Sequence, residues 1–240
     1  YGWFNRFEQS ALLFCAMKVG LPAGLASVVH QAQVFFTLIF SVLILQQRTQ
    51  ITQWLGLMIA VMGLALIAYG KNAGTPVGMQ MTSLGLVLNL LGAASWAMGN
   101  VVVSAMRRAG IQPEPFGLVI WSSLIPIVPF LLISGLFERH VYPDWQAISW
   151  HSMVSALYLA WAATLLGYGL WSRLLSQYEP NWVAPFTLLV PVVGLLTAWL
   201  VLGERLNQWQ LWGSACLLIG LAVNVLGLRA WRAWLAWRHR

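Results

Sequence analysis

The chain predicts an all-α integral membrane protein, and two observations carry that prediction. Of its 240 residues, 60% are hydrophobic and only 8% are charged, against about a quarter charged in an ordinary soluble domain. Apolar runs of membrane-spanning length also recur from end to end, parted by short breaks rich in Pro, Gly, Gln and charge. A mean hydropathy of +0.74 excludes a water-soluble globule, a disordered chain and a disulfide-rich secreted module. The net charge of +7 would suggest nucleic acid in a soluble protein, but a chain that must first enter lipid needs another account of it. Cys15 and Cys216 lie in apolar runs without zinc or redox spacing, and both are expected to be small buried hydrophobes.

A membrane-crossing helix takes roughly 17–25 mainly apolar residues, and the chain holds about eight such stretches. The first, 1–19, is mainly apolar, with Arg6, Glu8 and the closing Lys18 its charged residues. The second, 22–45, ends at QQRTQ (46–50), and the third, 51–69, at KNAGTPVGMQ (71–80). The fourth, 82–105, runs into RRAGIQPEP (107–115), and the fifth, 116–137, into ERHVYPD (138–144). The sixth, 148–172, precedes SQYEPN (176–181); 182–202 precedes GERLNQ (203–208); the last is 208–228. None of the breaks is long enough for a soluble domain. No basic leader with a cleavage site follows Tyr1, and the sequence reads as beginning inside a longer protein.

Lys and Arg favour cytoplasmic loops. Arg229, Arg232, Arg238 and Arg240 therefore place the C-terminus inside, and alternation brings Arg173, Arg107, Arg108, Arg48 and Arg6 to the same side. Lys18, Lys71, Arg139 and Arg205 fall outside, a split of nine against four. In the tail, Trp231, Trp234 and Trp237 share one helical arc, roughly opposite Arg229, Arg232 and Arg240. Such a helix suits the headgroup plane. The +7 thus reads as a topology code and an anchor.

Sliding the chain against itself by 157 residues lays 22–70 on 179–227. Arg48 then meets Arg205, and Gly56, Gly63 and Gly70 meet Gly213, Gly220 and Gly227. A third helix repeats the ladder as Gly85, Gly92 and Gly99. Stripes of this kind let helix backbones approach closely in lipid, which is helix packing and marks no site. In the threading above the two copies run in opposite directions. Inverted repeats are the mark of secondary transporters, whose site lies near the midplane between the halves.

GERL (203–206) and PFTLLVPVVGLL (185–196), together with the repeat, resemble the EamA transporters of the drug/metabolite transporter superfamily. LLFCA (12–16), GLPAGLAS (20–27), QAQ (31–33), SWAMGN (95–100), LVIWSSLIPIVPF (118–130) and GYGLW (167–171) carry the resemblance over essentially the whole chain. It implies an inverted-repeat exporter of the ten-helix type, with the eight helices here corresponding to its third through tenth. Residues 1–70 would be a first repeat lacking two helices, 82–228 a second repeat, and 229–240 a cytoplasmic tail. The implied home is the bacterial inner membrane. The implied cargo is a small polar metabolite, an amino acid such as cysteine or O-acetylserine. No cofactor, metal or nucleic acid is expected, and a homodimer is an open option. The GER of the second repeat is degenerate in the first, as Gln46-Gln47-Arg48, and His30 stands where the family has an apolar residue.

Ionisable groups within a span are costly and often functional. Glu8 could couple transport to protons with Arg6 tuning it, or the two could pair with each other. Ser27, His30, Gln31 and Gln33 cover two adjacent faces of the second span. Gln31 and Gln33 offer the donors and acceptors that a polar cargo needs, and they could equally tie helices together. His30 could titrate near neutral pH. Trp96 and Asn100, four apart, present an aromatic wall and an amide on one face. Tyr168, between Gly167 and Gly169, offers a hydroxyl where backbones could approach. Pro185 and Pro191 interrupt their helix and release carbonyls. Glu204 and Arg205 read as a local ion pair fixing a tight loop. HVYPD (140–144) matches an acyltransferase-like HxxxD with His140 as base. No P-loop, HExxH or zinc pattern accompanies it, so transport is the leading reading.

Overall fold

A computed structural model describes residues 1–70, 81–111, 114–137, 149–178 and 183–238, without the side chains of 115, 172, 175, 176, 184, 185 and 228–238. Eight helical rods run through the described residues, one for each predicted span. The first, α1, is a π-helix over Trp3–Glu8 and an α-helix over Gln9–Lys18. α2 spans Ala23–Leu45, with one 3-10 turn at His30–Ala32. α3 is Ile51–Tyr69 and α4 is Ser83–Arg108. α5 comprises Pro115–Ser122 and Ile127–Phe137. α6 is α-helical over Trp150–Leu157, π-helical over Tyr158–Leu166 and α-helical again over Gly167–Gln177. α7 opens as a 3-10 turn, Ala184–Leu188, and continues as Leu189–Leu202; α8 is Gln208–Arg238.

Six of these, α2 to α6 and α8, are long and apolar enough to cross a membrane. α1 falls short because Arg6, Glu8 and Lys18 divide its short length, and the apolar part of α7 is confined to Phe186–Leu202. Pro191 is buried at the third residue of the α-helical part of α7, and this helix changes from 3-10 to α at Leu188–Leu189, between Pro185 and Pro191.

The starts of α3 and α8 are capped alike. Gln50 and Gln53 exchange side-chain and backbone hydrogen bonds at α3, and Asn207 and Gln210 do the same at α8 at 3.0 and 2.8 Å. The ends of α2 and α7 also match. Gln46 turns left-handed at φ 50°, and Gly203 at φ 66°. Glycine adopts that conformation without the steric cost that Gln46 bears.

Glycines seat the helices. A Cβ on Gly56 would meet the carbonyl oxygen of Gly220 at 2.6 Å, and one on Gly63 that of Gly213 at 2.6 Å. α3 and α8 are therefore antiparallel and nearly in backbone contact. The 157-residue shift exchanges these two contacts, as it does those of Gly70 with Trp209 and Gly227 with Thr52. The third ladder receives α1: Gly85 faces the Ala16 carbonyl, Gly92 that of Gln9, and Gly99 the Asn5 side chain. α2 runs parallel to α4 at a constant offset of 63 residues, with hydrogen bonds from Asn89 to Ala26, Asn100 to Thr37 and Arg108 to Leu45. α5 and α6 lie at the flank: of their spanning windows, 11% and 0% is buried, so their apolar side chains face outward.

Candidate functional site

Polar side chains line the face of α4 that meets α1 and α2. Asn89 is fully buried. Its amide donates to the Ala26 carbonyl at 3.0 Å, and its Oδ1 lies 2.9 Å from His30 Nδ1. With the amide nitrogen so used, Nδ1 is the donating nitrogen of His30, and Nε2 is left to accept from Gln9 Nε2 at 3.3 Å. Trp96 meets the His30 ring edge to face, 6.0 Å between centroids. The third ladder thus has a second role, because a Cβ on Gly92 would lie 3.6 Å from His30 Cε1. His30 and Trp96 come together as two of the anticipated residues; Asn89 and Gln9 complete the network and were not anticipated. Their signal was present: both are amides inside spans.

Half-way along α4, the Ser95 hydroxyl lies 2.8 Å from Glu8 Oε2 and 2.9 Å from the Phe4 carbonyl. Trp3 Nε1 donates to the other carboxylate oxygen at 2.9 Å. Glu8 is therefore level with the centre of α4, and neighbouring Arg6 does not pair with it. A groove of about 520 Å³ opens here, lined by Glu8, Ser95, Phe4, Phe7, Phe40 and Met98 among others. Further along, Asn100 reaches the Thr37 hydroxyl at 3.4 Å, and that hydroxyl donates to the Gln33 carbonyl at 2.7 Å. Gln33 Oε1 is buried without a partner among the described residues, and Gln31 is buried at 7% exposure.

Tyr168 lies apart from this column. Its ring carries the Arg6 guanidinium at 4.9 Å, and Arg6 Nε reaches Ser122 Oγ at 3.4 Å. The flanking glycines do not serve a close approach between helices, since nothing lies within 4 Å of a Cβ on Gly169.

Two further expectations change. Glu204 does not close its own loop: its carboxylate accepts the backbone N–H of Ala23 at 2.8 Å and of Gly24 at 2.9 Å, capping α2 from the α7–α8 turn. Cys15 is exposed and Cys216 half-buried, both free. His140, with the HVYPD segment, and the tail side chains of Trp231, Trp234, Trp237, Arg229, Arg232 and Arg240 lie outside the described residues. Among the described residues no three His, Cys, Asp or Glu side chains group as a metal site.

Comparison with known proteins places this arrangement. The profile of the EamA-like transporter family matches residues 9–69 and 83–226. A probable amino-acid metabolite efflux pump of Salmonella typhimurium is 43% identical over 97% of this chain and 77% of its own length. Its namesake in Escherichia coli is 42% identical over the same shares. A more distant relative is the UDP-N-acetylglucosamine/UDP-N-acetylgalactosamine transporter nstp-4 of Caenorhabditis elegans, 28% identical over 82% of this chain and 59% of its own. No solved structure matches. With the family profile covering most of an all-helical membrane fold, the chain belongs to the EamA-like transporter family and is a transporter, not an enzyme.

Proposed function

We propose that the chain is a secondary exporter of small polar metabolites, amino acids such as cysteine and O-acetylserine. It works in the bacterial cytoplasmic membrane, with its C-terminus cytoplasmic. Two oppositely oriented halves, 1–70 and 82–228, alternate access to a site near the midplane. The observation that carries the reading is the column of amides, imidazole and carboxylate between α1, α2 and α4, inside helices otherwise built for lipid. The relatives named as amino-acid metabolite efflux pumps support the cargo class. In this reading Trp96, His30, Asn100, Gln31, Gln33 and Tyr168 contact cargo.

Glu8 is the coupling carboxylate. The Ser95 hydroxyl has one proton and two acceptors in reach, Glu8 Oε2 and the Phe4 carbonyl. Both contacts are satisfied at once when Glu8 is protonated and donates to Ser95. The test is efflux of labelled O-acetylserine and cysteine from proteoliposomes under an imposed proton gradient. Wild type should export faster with the gradient. Glu8→Gln, which keeps an acceptor for Trp3 and a donor for Ser95, should transport without responding to it. Loss of export with the gradient response unchanged in the remainder would refute the coupling role. No export of any amino-acid analogue by wild type would refute the exporter reading.

A further inference from the structure

We propose that Arg6 is the binding group for the carboxylate of the exported metabolite, held ready by Tyr168 and Ser122 where α1 meets α5 and α6. The proposal rests on the exporter reading above and adds the charge class of the cargo.

Arg6 carries a permanent charge, and two of its surfaces are occupied. Ser122 Oγ takes Nε at 3.4 Å. The proton of Ser122 is directed at the Val119 carbonyl, 3.1 Å away, which leaves its oxygen free to accept. The Tyr168 ring covers one face of the guanidinium at 4.9 Å. The remaining edge is different: Nη2 is buried and has no hydrogen-bond partner among the described residues. The carboxylate nearest in sequence, Glu8, is engaged by Trp3 and Ser95 on the side facing α4. Arg6 is half-buried, but a buried guanidinium nitrogen left without a partner is costly, and a planar donor fork matches the two oxygens of a carboxylate.

The neighbouring residue has the opposite polarity. Asn5 is 2% exposed, and its Oδ1 is also buried without a partner among the described residues. It is an acceptor of the kind an ammonium group satisfies.

The position suits a cargo site. Arg6 lies in the π-helical turn Trp3–Glu8, and Tyr168 lies two residues past the π-helical segment Tyr158–Leu166. The 157-residue shift lays the first segment inside the second. The Arg6–Tyr168 contact therefore joins equivalent helices of the two halves, where a transporter of this design holds its cargo.

The experiment measures uptake into proteoliposomes of labelled O-acetylserine and of its methyl ester, which lacks the negative charge. Wild type, Arg6→Gln, Arg6→Lys and Tyr168→Leu are compared at equal membrane abundance. Wild type should prefer the acid. Arg6→Gln should raise KM for the acid by about tenfold or more and leave that for the ester nearly unchanged, so that discrimination is lost. Arg6→Lys should fall between, and Tyr168→Leu should weaken acid binding selectively. If Arg6→Gln does not insert, the two milder variants decide by the same acid-to-ester ratio. An unchanged acid KM, or equal losses for acid and ester, would overturn the subsite while leaving the exporter reading in place. A wild type that moves neither compound would overturn both.

Discussion

Gly63→Ala probes the seam between α3 and α8. A Cβ at position 63 would lie 2.6 Å from the Gly213 carbonyl oxygen and 2.7 Å from the Leu217 amide nitrogen. Both are backbone atoms of α8, so no rotamer change relieves the overlap and the helices must separate by close to an ångström. Overpacking of this kind costs about 1–3 kcal/mol. Alanine within a helix returns about 0.5–1 kcal/mol, leaving a net loss of roughly 0.5–2 kcal/mol. Gly213→Ala should cost the same, because its Cβ would meet the Gly63 carbonyl at 2.6 Å and the Ile67 amide nitrogen at 2.9 Å. Gly135→Ala is the control: nothing lies within 4 Å of its Cβ, so only the helix-forming gain remains. Thermal unfolding of the purified protein in detergent, followed by tryptophan fluorescence, reads all three. The reasoning fails if Gly63→Ala melts no lower than Gly135→Ala, or if Gly63 and Gly213 differ widely.

Other expectations follow from single contacts. Glu204→Ala removes the cap on α2 and should destabilise by about 1–2 kcal/mol, with Glu204→Gln retaining part of the effect through its one acceptor oxygen; equal melting temperatures for wild type and Glu204→Ala would refute the cap. Asn89→Leu removes bonds to His30 and to the Ala26 carbonyl, each worth about 0.6 and at most about 1.7 kcal/mol in a bilayer. Its melting temperature should fall and His30 should become more reactive toward diethyl pyrocarbonate; a variant that melts like wild type with His30 unchanged would count against the network. Gln33→Leu should reduce export without loss of membrane insertion, and unchanged export would remove Gln33 from the cargo contacts.

Much of this was legible in residue order. Hydrophobic run length located all eight rods, six of them long and apolar enough to cross a membrane, because a segment that cannot expose its backbone to lipid must be helical over the thickness it crosses. The GER loop and its degenerate counterpart QQR were legible as a pair, yet their common feature, a left-handed residue at Gln46 and Gly203, is a backbone property that the side chains do not announce. The capping amides Gln50, Gln53, Asn207 and Gln210 lay in segments that composition marks only as polar breaks. Glu204 looked paired with its neighbour Arg205, since proximity in sequence is all that a sequence shows; its partners are the amides of Ala23 and Gly24.

Order and composition alone determined that this chain crosses a membrane as helices, that glycines recur every seventh residue, and that a few polar groups are stranded within the spans. These follow from local physics: backbone satisfaction, burial in hydrocarbon and helical period. Which stranded groups meet was decided only by the tertiary structure. The offset of 63 residues between α2 and α4 puts His30 beside Asn89 and Thr37 beside Asn100. The antiparallel seating of α1 on the third glycine ladder brings Glu8 to Ser95 at the centre of α4. The same seating turns Arg6 away from Glu8 toward Tyr168, more than 160 residues distant in the chain. Side chains two apart on one helix point to different neighbours, and only the packing of those neighbours gives each its chemistry.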